Sequence, residues 1–212
     1  MPDKAPPVPR QSDLDHQGWL TTAGEGGYQG QRLLDLGCGS GWLCARAVSG
    51  GAGLAVGVDM EPPPYRNERW HWHNLNLDTP GWHEDLASYG RFTRILAFDI
   101  LEHLRSPWDF LASCHQLLDE SGSLILTTPN CNSWERWARP QHWSGATDRQ
   151  HKTLFTPYSL TFLLERSGFR PQIVRAPVRR LTLPGPWQRH WGGQIFSLSG
   201  KEPRQDHANE QA

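Results

Sequence analysis

Residues 33–41 read LLDLGCGSG, placing Asp35 two positions before a turn that carries Gly37, Gly39 and Gly41. Glycine lacks a Cβ and accepts left-handed dihedrals, so such a turn lets a ligand come close to the backbone. In phosphate-binding turns the free N–H groups and the following helix attract negative charge. A dinucleotide turn has the order G-x-G-x-x-G, its third glycine admitting close packing of helix on strand. Here Trp42 fills that third position, and Asp35 stands where a pyrophosphate would be repelled. The spacing asks for a ligand with positive charge and no phosphate.

S-adenosylmethionine meets both conditions, because its ammonium and sulfonium are favoured by a nearby carboxylate. A second acid, Asp59, ends the apolar run LAVGVD. It lies about 20 residues beyond the turn, where a carboxylate accepts from ribose hydroxyls. A third group, Asp99, Glu102 and His103, follows the run TRILAF within five positions. His103 is a candidate general base with Glu102 or Asp99 orienting it. The competing reading is that these side chains brace a loop or the cofactor pocket.

Strands and helices must bring these groups together, and the pattern alternates between the two. Strands are expected at 31–36, 53–59, 69–75, 93–99 and 123–128, with two more in RPQIVRAPV and GGQIFSLSG. Helices are expected at 42–49, from Ser106-Pro107 to Gly122, and from Thr156-Pro157 to Gly168. Ser106 is an N-cap, Pro107 suits the first turn, and Phe110, Leu111, Cys114, Leu117 and Leu118 mark one face. This alternation predicts an α/β fold with a mainly parallel sheet. In such a sheet, ligands bind outside the carboxyl ends of the strands. The connection 129–155 is long, contains Trp134, Trp137, His142 and Trp143, and reads as a functional loop. The final inter-strand loop carries Arg179, Arg180, Trp187, Arg189, His190 and Trp191, a lip suited to an anionic or aromatic substrate.

The 212 residues suit one domain. Residues 1–17 and 201–212 are polar, without apolar periodicity, and read as flexible tails around a domain over 18–200. Lys and Arg total 21 against 22 Asp and Glu, so no global basic field attracts nucleic acid. The four cysteines form no C-x-x-C pair, and free thiols are expected. With neither a signal core nor a membrane-spanning run, a cytoplasmic protein is expected.

LLDLGCGSG resembles the first motif of class I S-adenosylmethionine-dependent methyltransferases, hydrophobic-D-hydrophobic-G-x-G-x-G. FDILEHLRSPWDFLASCHQLLDESGSLILTTPN and DRQHKTLFTPYSLTFLLERSGF resemble bacterial small-molecule members with a "DVLEHL…PN…DxxH…FT" pattern. The resemblance implies a Rossmann-like, seven-stranded sheet whose last strand is antiparallel, with helices on both faces. It implies a cofactor set of Asp35, Gly37, Gly39, Gly41, Asp59, Met60, Asn74, Leu75 and Phe98, with Met60 on the adenine. Asn74 stands where relatives carry an acid, and Asp78 is the alternative. Asp99 and His103 are the catalytic candidates. Some relatives bind a divalent cation through ExxEH or ExxH, which here would involve Asp99, Glu102, His103 and Asp148 or His151.

The expected function is methyl transfer from S-adenosylmethionine to a small organic acceptor, at oxygen. No DNA partner is expected, and RNA is disfavoured by the charge balance. An RNA 2′-O-methyltransferase and a non-catalytic S-adenosylmethionine-binding regulator are the alternatives.

Overall fold

The computed structural model describes residues 8–64, 68–178 and 190–202. Seven strands form one sheet: β1 (Arg32–Leu36), β2 (Leu54–Asp59), β3 (His71–Asn74), β4 (Phe92–Phe98), β5 (Leu118–Pro129), β6 (Phe169–Arg175) and β7 (Gln194–Lys201). Their order is β3-β2-β1-β4-β5-β7-β6. β1 pairs in parallel with β2 and β4, β2 with β3, and β4 with β5. β7 runs antiparallel to both β5 and β6. The sheet is the one the family resemblance implies.

β1, β2 and β4 are buried along almost their whole length because helices cover both faces of the parallel region. One face packs Leu34, Val56, Ile95 and Leu124 against α3 (Pro107–Leu117) and α6 (Pro157–Arg166). A 3-10 helix over Trp82–Tyr89, an element not among the sequence expectations, closes the same side. The other face packs Leu33, Ala55, Leu96 and Phe196 against α1 (Gln11–Thr22) and α2 (Trp42–Ser49). Ser106 and Thr156 cap α3 and α6 as their sequences suggest, each accepting a backbone N–H of its first turn.

Four expectations are corrected. Residues 11–17 are not a tail but the first half of α1, whose inward side chains make polar contacts that leave no apolar period. α3 ends at Leu117, and β5 opens at Leu118 opposite Phe92. The ladder resumes with Ser123 opposite Arg94, so residues 119–122 loop out of it. The strand expected at 69–75 is limited to His71–Asn74. The connection after β5 is not one loop, since α4 (Trp134–Ala138), a 3-10 turn (Pro140–His142) and α5 (Ser144–Thr147) occupy it.

All four cysteines are free. Among the described residues no helix is long and apolar enough to cross a membrane.

Candidate active site

The glycine turn joins β1 to α2 at the carboxyl edge of the sheet. The N–H groups of Gly37 and Cys38 both donate to the Val58 carbonyl, at 2.8 and 3.0 Å, fixing the turn to the end of β2. Gly37 and Gly41 have φ of +79° and +75°, a region open to glycine at little cost. The Gly39 N–H donates to Asp59 Oδ2 at 2.9 Å, and the Glu61 N–H donates to Oδ1 at 3.0 Å. Two of the four acceptor positions on that carboxylate are thus filled, leaving capacity for hydroxyl donors. Met60 beside it is 62% exposed, an apolar side chain open to the cleft.

Asn74, opposite Asp59 in the register of β2 and β3, donates its amide to the Met60 carbonyl at 2.6 Å. Its side-chain oxygen is the group left to accept. Leu75 is half-buried and packs on the core. Phe98 is buried at the end of β4, with the His16 ring stacked on it at 4.4 Å. Asp78, the alternative to Asn74, is half-buried and engaged by two cationic side chains and a backbone N–H. It accepts from the Arg105 N–H at 2.7 Å and from Lys152 Nζ at 2.8 Å. Burial pushes its carboxyl up, but Lys152 and Arg105 outweigh that and hold it below the usual range.

Asp35 is 3% exposed. Burial pushes its carboxyl up to about 7, with Asp13 and Asp59 adding to the effect and His16 opposing it. A buried acid among acids is a place where a cationic ligand gains, so these residues fit an ammonium- and sulfonium-bearing molecule. Between about pH 4 and 7 the folded protein holds this proton while the unfolded chain has released it. Asp35 therefore costs stability as pH rises through that window, and the full cost is present above about 7. A cation in the cleft favours the ionised form, so calorimetry near pH 6 in buffers of different ionisation enthalpy should detect proton release on binding. Asp35→Asn should remove that release, and an unchanged release would refute the assignment.

Beside the cleft, a cavity of about 730 Å³ opens at the ends of β4, β5 and β7. Its wall includes Trp19, Asp99, Glu102, His103, His151 and Gln194. Glu102, His103 and His151 offer ligand atoms all within 4.8 Å of one another. His151 is brought there because the Glu102 carbonyl accepts from the N–H groups of Lys152 and Thr153, at 2.7 and 3.2 Å. The His103 and His151 rings meet edge to face at 4.7 Å. His151 Nδ1 lies 3.4 Å from the Gly145 carbonyl, and its Nε2 lies 3.7 Å from Asp148. Glu102 is 1% exposed and accepts from Thr128 Oγ1 at 2.9 Å. Burial, with Asp99 adding to it, pushes its carboxyl up to about 8.

Asp99 lines the same cavity but is turned to other partners, His16, Thr127 and Gln194. Of the aromatic residues in 129–155, Trp134 reaches the cavity, whereas Trp143 is buried and Trp137 is exposed. Asn130 is also buried, its amide donating to the carbonyls of His190 and Gly192 at 2.8 and 2.7 Å. It thereby fixes the cavity's far wall. Arg179, Arg180, Trp187 and Arg189 lie outside the described residues. Sequence reasoning missed Asp13, His16 and Trp19 because α1 lacks an apolar stripe. Gln194 was missed because a polar residue at a strand start gives no signal.

The sequence matches a methyltransferase-domain family over residues 13–172. It is 30% identical over 156 residues to a ubiquinone biosynthesis O-methyltransferase of Cereibacter sphaeroides, covering 68% of this chain and 62% of that protein. A protein of the same description from Maricaulis maris is 30% identical over 185 residues, covering 80% and 68%. In the first of these alignments the chain spans less than two thirds of its relative's length. The fold matches a SAM-dependent methyltransferase of Archaeoglobus fulgidus with a TM-score of 0.63 and 17% identity, over 91% of this chain and all of that one. The motif, the sheet order and these similarities together show that the chain belongs to the class I S-adenosylmethionine-dependent methyltransferases.

Proposed function

We propose that this protein transfers a methyl group from S-adenosylmethionine to an oxygen of a small organic acceptor held in the cavity beside His103. The observation that carries this reading is the convergence of Glu102, His103 and His151 on the wall of a cavity next to the glycine cleft. A hydroxyl attacking a methyl group must shed a proton, and this cluster gives it somewhere to go. The cavity volume lies within the usual range for small-molecule sites, about 300–1,000 Å³. The names of the ubiquinone biosynthesis relatives support oxygen as the acceptor atom.

When bound, S-adenosylmethionine supplies a methyl group on a cationic sulfur, so most of the task left to the protein is alignment. The glycine turn and Asp35 would hold the amino-acid end, Asp59 the ribose, and Met60, Asn74 and Leu75 the base. Phe98 would contribute backbone at the end of β4. His103 would take the hydroxyl proton, with Glu102 and His151 fixing its ring.

The same three side chains fit a divalent cation. Thr128 occupies one oxygen of Glu102 and leaves the other, and a Gly145 carbonyl accepting from His151 Nδ1 would turn Nε2, now beside Asp148, toward an ion. Such an ion would supply Lewis acidity toward a bound hydroxyl. Asp99, Glu135 and Asp148 place three carboxylates on the cavity wall, which disfavours a phosphodiester-bearing acceptor such as RNA.

Asp59→Ala should weaken S-adenosylhomocysteine binding by about 1.5–3 kcal/mol, the worth of charge-assisted hydrogen bonds to the ribose. Calorimetry reads this directly, and unchanged affinity would remove Asp59 from the site. The acceptor class is tested with labelled S-adenosylmethionine and cell extract separated into lipid, nucleic-acid and small-metabolite fractions. Label is expected in a low-mass or lipid hydroxyl compound, and label confined to RNA would overturn the reading.

A further inference from the structure

Asp99 is the only non-glycine among the described residues with a left-handed backbone, φ +53°. Such a conformation persists only where the surroundings over-determine it. Here three side chains converge on one carboxylate from three different elements. Thr127 Oγ1 of β5 and Gln194 Nε2 of β7 donate to Oδ1, at 2.9 and 2.5 Å. His16 Nε2 of α1 lies 3.3 Å from Oδ2. Burial pushes the Asp99 carboxyl up, but these partners outweigh it and hold it below the usual range. It is therefore a fixed negative charge and a poor proton acceptor. Its donors also turn it away from the ligand cluster of Glu102, His103 and His151.

The position of this charge suggests its use. Ile100, the next residue, packs so closely on the glycine turn that a Cβ at Gly37 would lie 2.2 Å from Ile100 Cδ1. Asp99 itself lines the cavity. The carboxylate thus stands at the seam between cleft and cavity. If the first holds the cofactor and the second the acceptor, the methyl group crosses at this seam. As it crosses, the S–CH₃ bond breaks, the O–CH₃ bond forms, and sulfur keeps the electron pair and loses its charge. The hydroxyl proton goes to the base.

His16 is held at this place with some precision. Its ring stacks on Phe98 at an interplanar angle of 17°. One turn before it, Asp13 accepts from Ser40 Oγ of the glycine turn at 3.2 Å. One turn after it, Trp19 stacks on Phe196 at 5.1 Å. α1 is thus strapped across the turn, β4 and β7.

We propose that the clamped Asp99 carboxylate, with His16 as its positioning residue, biases binding toward the cationic cofactor over the product with neutral sulfur. The inference rests on the cleft and cavity having the roles proposed above. Methyl transfer would then weaken the hold on the spent cofactor and speed its release.

The test is calorimetric titration of the full chain with S-adenosylmethionine and with S-adenosylhomocysteine, read as the ratio of their dissociation constants. Asp99→Asn should move that ratio about tenfold toward the product, the size expected when a nearby opposite charge is removed. His16→Phe keeps a ring on Phe98 but loses the donor, and should move the ratio the same way by roughly threefold. His16→Gln restores a donor and should bring the ratio back toward wild type. Thr127→Val removes a donor from the opposite side and serves if an α1 variant or Asp99→Asn does not fold. Equal weakening of both ligands, with the ratio unmoved in Asp99→Asn and Thr127→Val, would overturn the inference and leave the site assignment standing. Failure of the wild type to bind either ligand would instead defeat the site assignment, and the inference with it.

Discussion

His103→Ala is expected to lower turnover by about 10²–10⁴-fold, the usual contribution of a positioned proton acceptor, while cofactor affinity falls far less. His103 stands on the cavity wall and meets His151, whereas the proposed cofactor contacts lie at the glycine turn, Asp59 and Asn74. Acting as a base, it should give the wild type a rate that falls on the acid side of the pH profile. Acting through a bound cation, it should make wild-type activity sensitive to a chelator and recoverable with added divalent ions. A residue that only braced the pocket would carry cofactor affinity and thermal stability down together with activity. An unchanged rate with intact cofactor binding would take His103 out of the mechanism and leave alignment as the source of catalysis.

Gly37→Ala should weaken cofactor binding and lower stability together. The left-handed backbone at this position costs an L-residue about 1–2 kcal/mol. The new Cβ would also lie 2.2 Å from Ile100 Cδ1. Relieving that overlap costs about 1–3 kcal/mol more. Ile100 must move, and it is bonded directly to Asp99, so the disturbance enters the seam between cleft and cavity. S-adenosylhomocysteine affinity should drop at least roughly tenfold, the equivalent of 1.4 kcal/mol, and the melting temperature should fall. Gly18→Ala is the contrast. A Cβ there meets nothing within 4 Å, and in α1 it should raise helix stability slightly. Equal behaviour of the two variants would show that the turn is not a strained ligand cradle.

Much of this arrangement is legible in the sequence because it is written in short-range chemistry. The run LLDL can only be a buried strand, and GCGSG turns it into a helix. Ser106-Pro107 and Thr156-Pro157 announce α3 and α6 through caps that the structure contains. The acids Asp35 and Asp59 sit near the ends of neighbouring parallel strands, Asp35 opposite Gly57 and Asp59 two residues further along β2, at the same edge of the sheet.

What is not legible depends on distant partners. His16 contacts Asp99 and Phe98 across more than 80 residues of sequence, and its helix has no apolar stripe to give it away. His151 reaches His103 only because a backbone carbonyl at Glu102 captures the chain at Lys152 and Thr153. The resemblance to known methyltransferases pointed to that histidine, while periodicity did not. Asp99 was legible as an acid near the chemistry. Its clamp was not, because Thr127 and Gln194 belong to β5 and β7, which come together beside Asp99 only in the folded sheet.

One edge of the sheet is proposed to hold the cofactor over the glycine turn and an acceptor in the cavity beyond Asp99. A crystal structure of the full chain with S-adenosylhomocysteine tests it most directly. The account predicts the ribose at Asp59, the adenine between Met60 and Asn74, and the thioether sulfur facing the cavity lined by Glu102, His103 and His151. A ligand bound away from Gly37–Gly41, or a sulfur turned from that cavity, would contradict it.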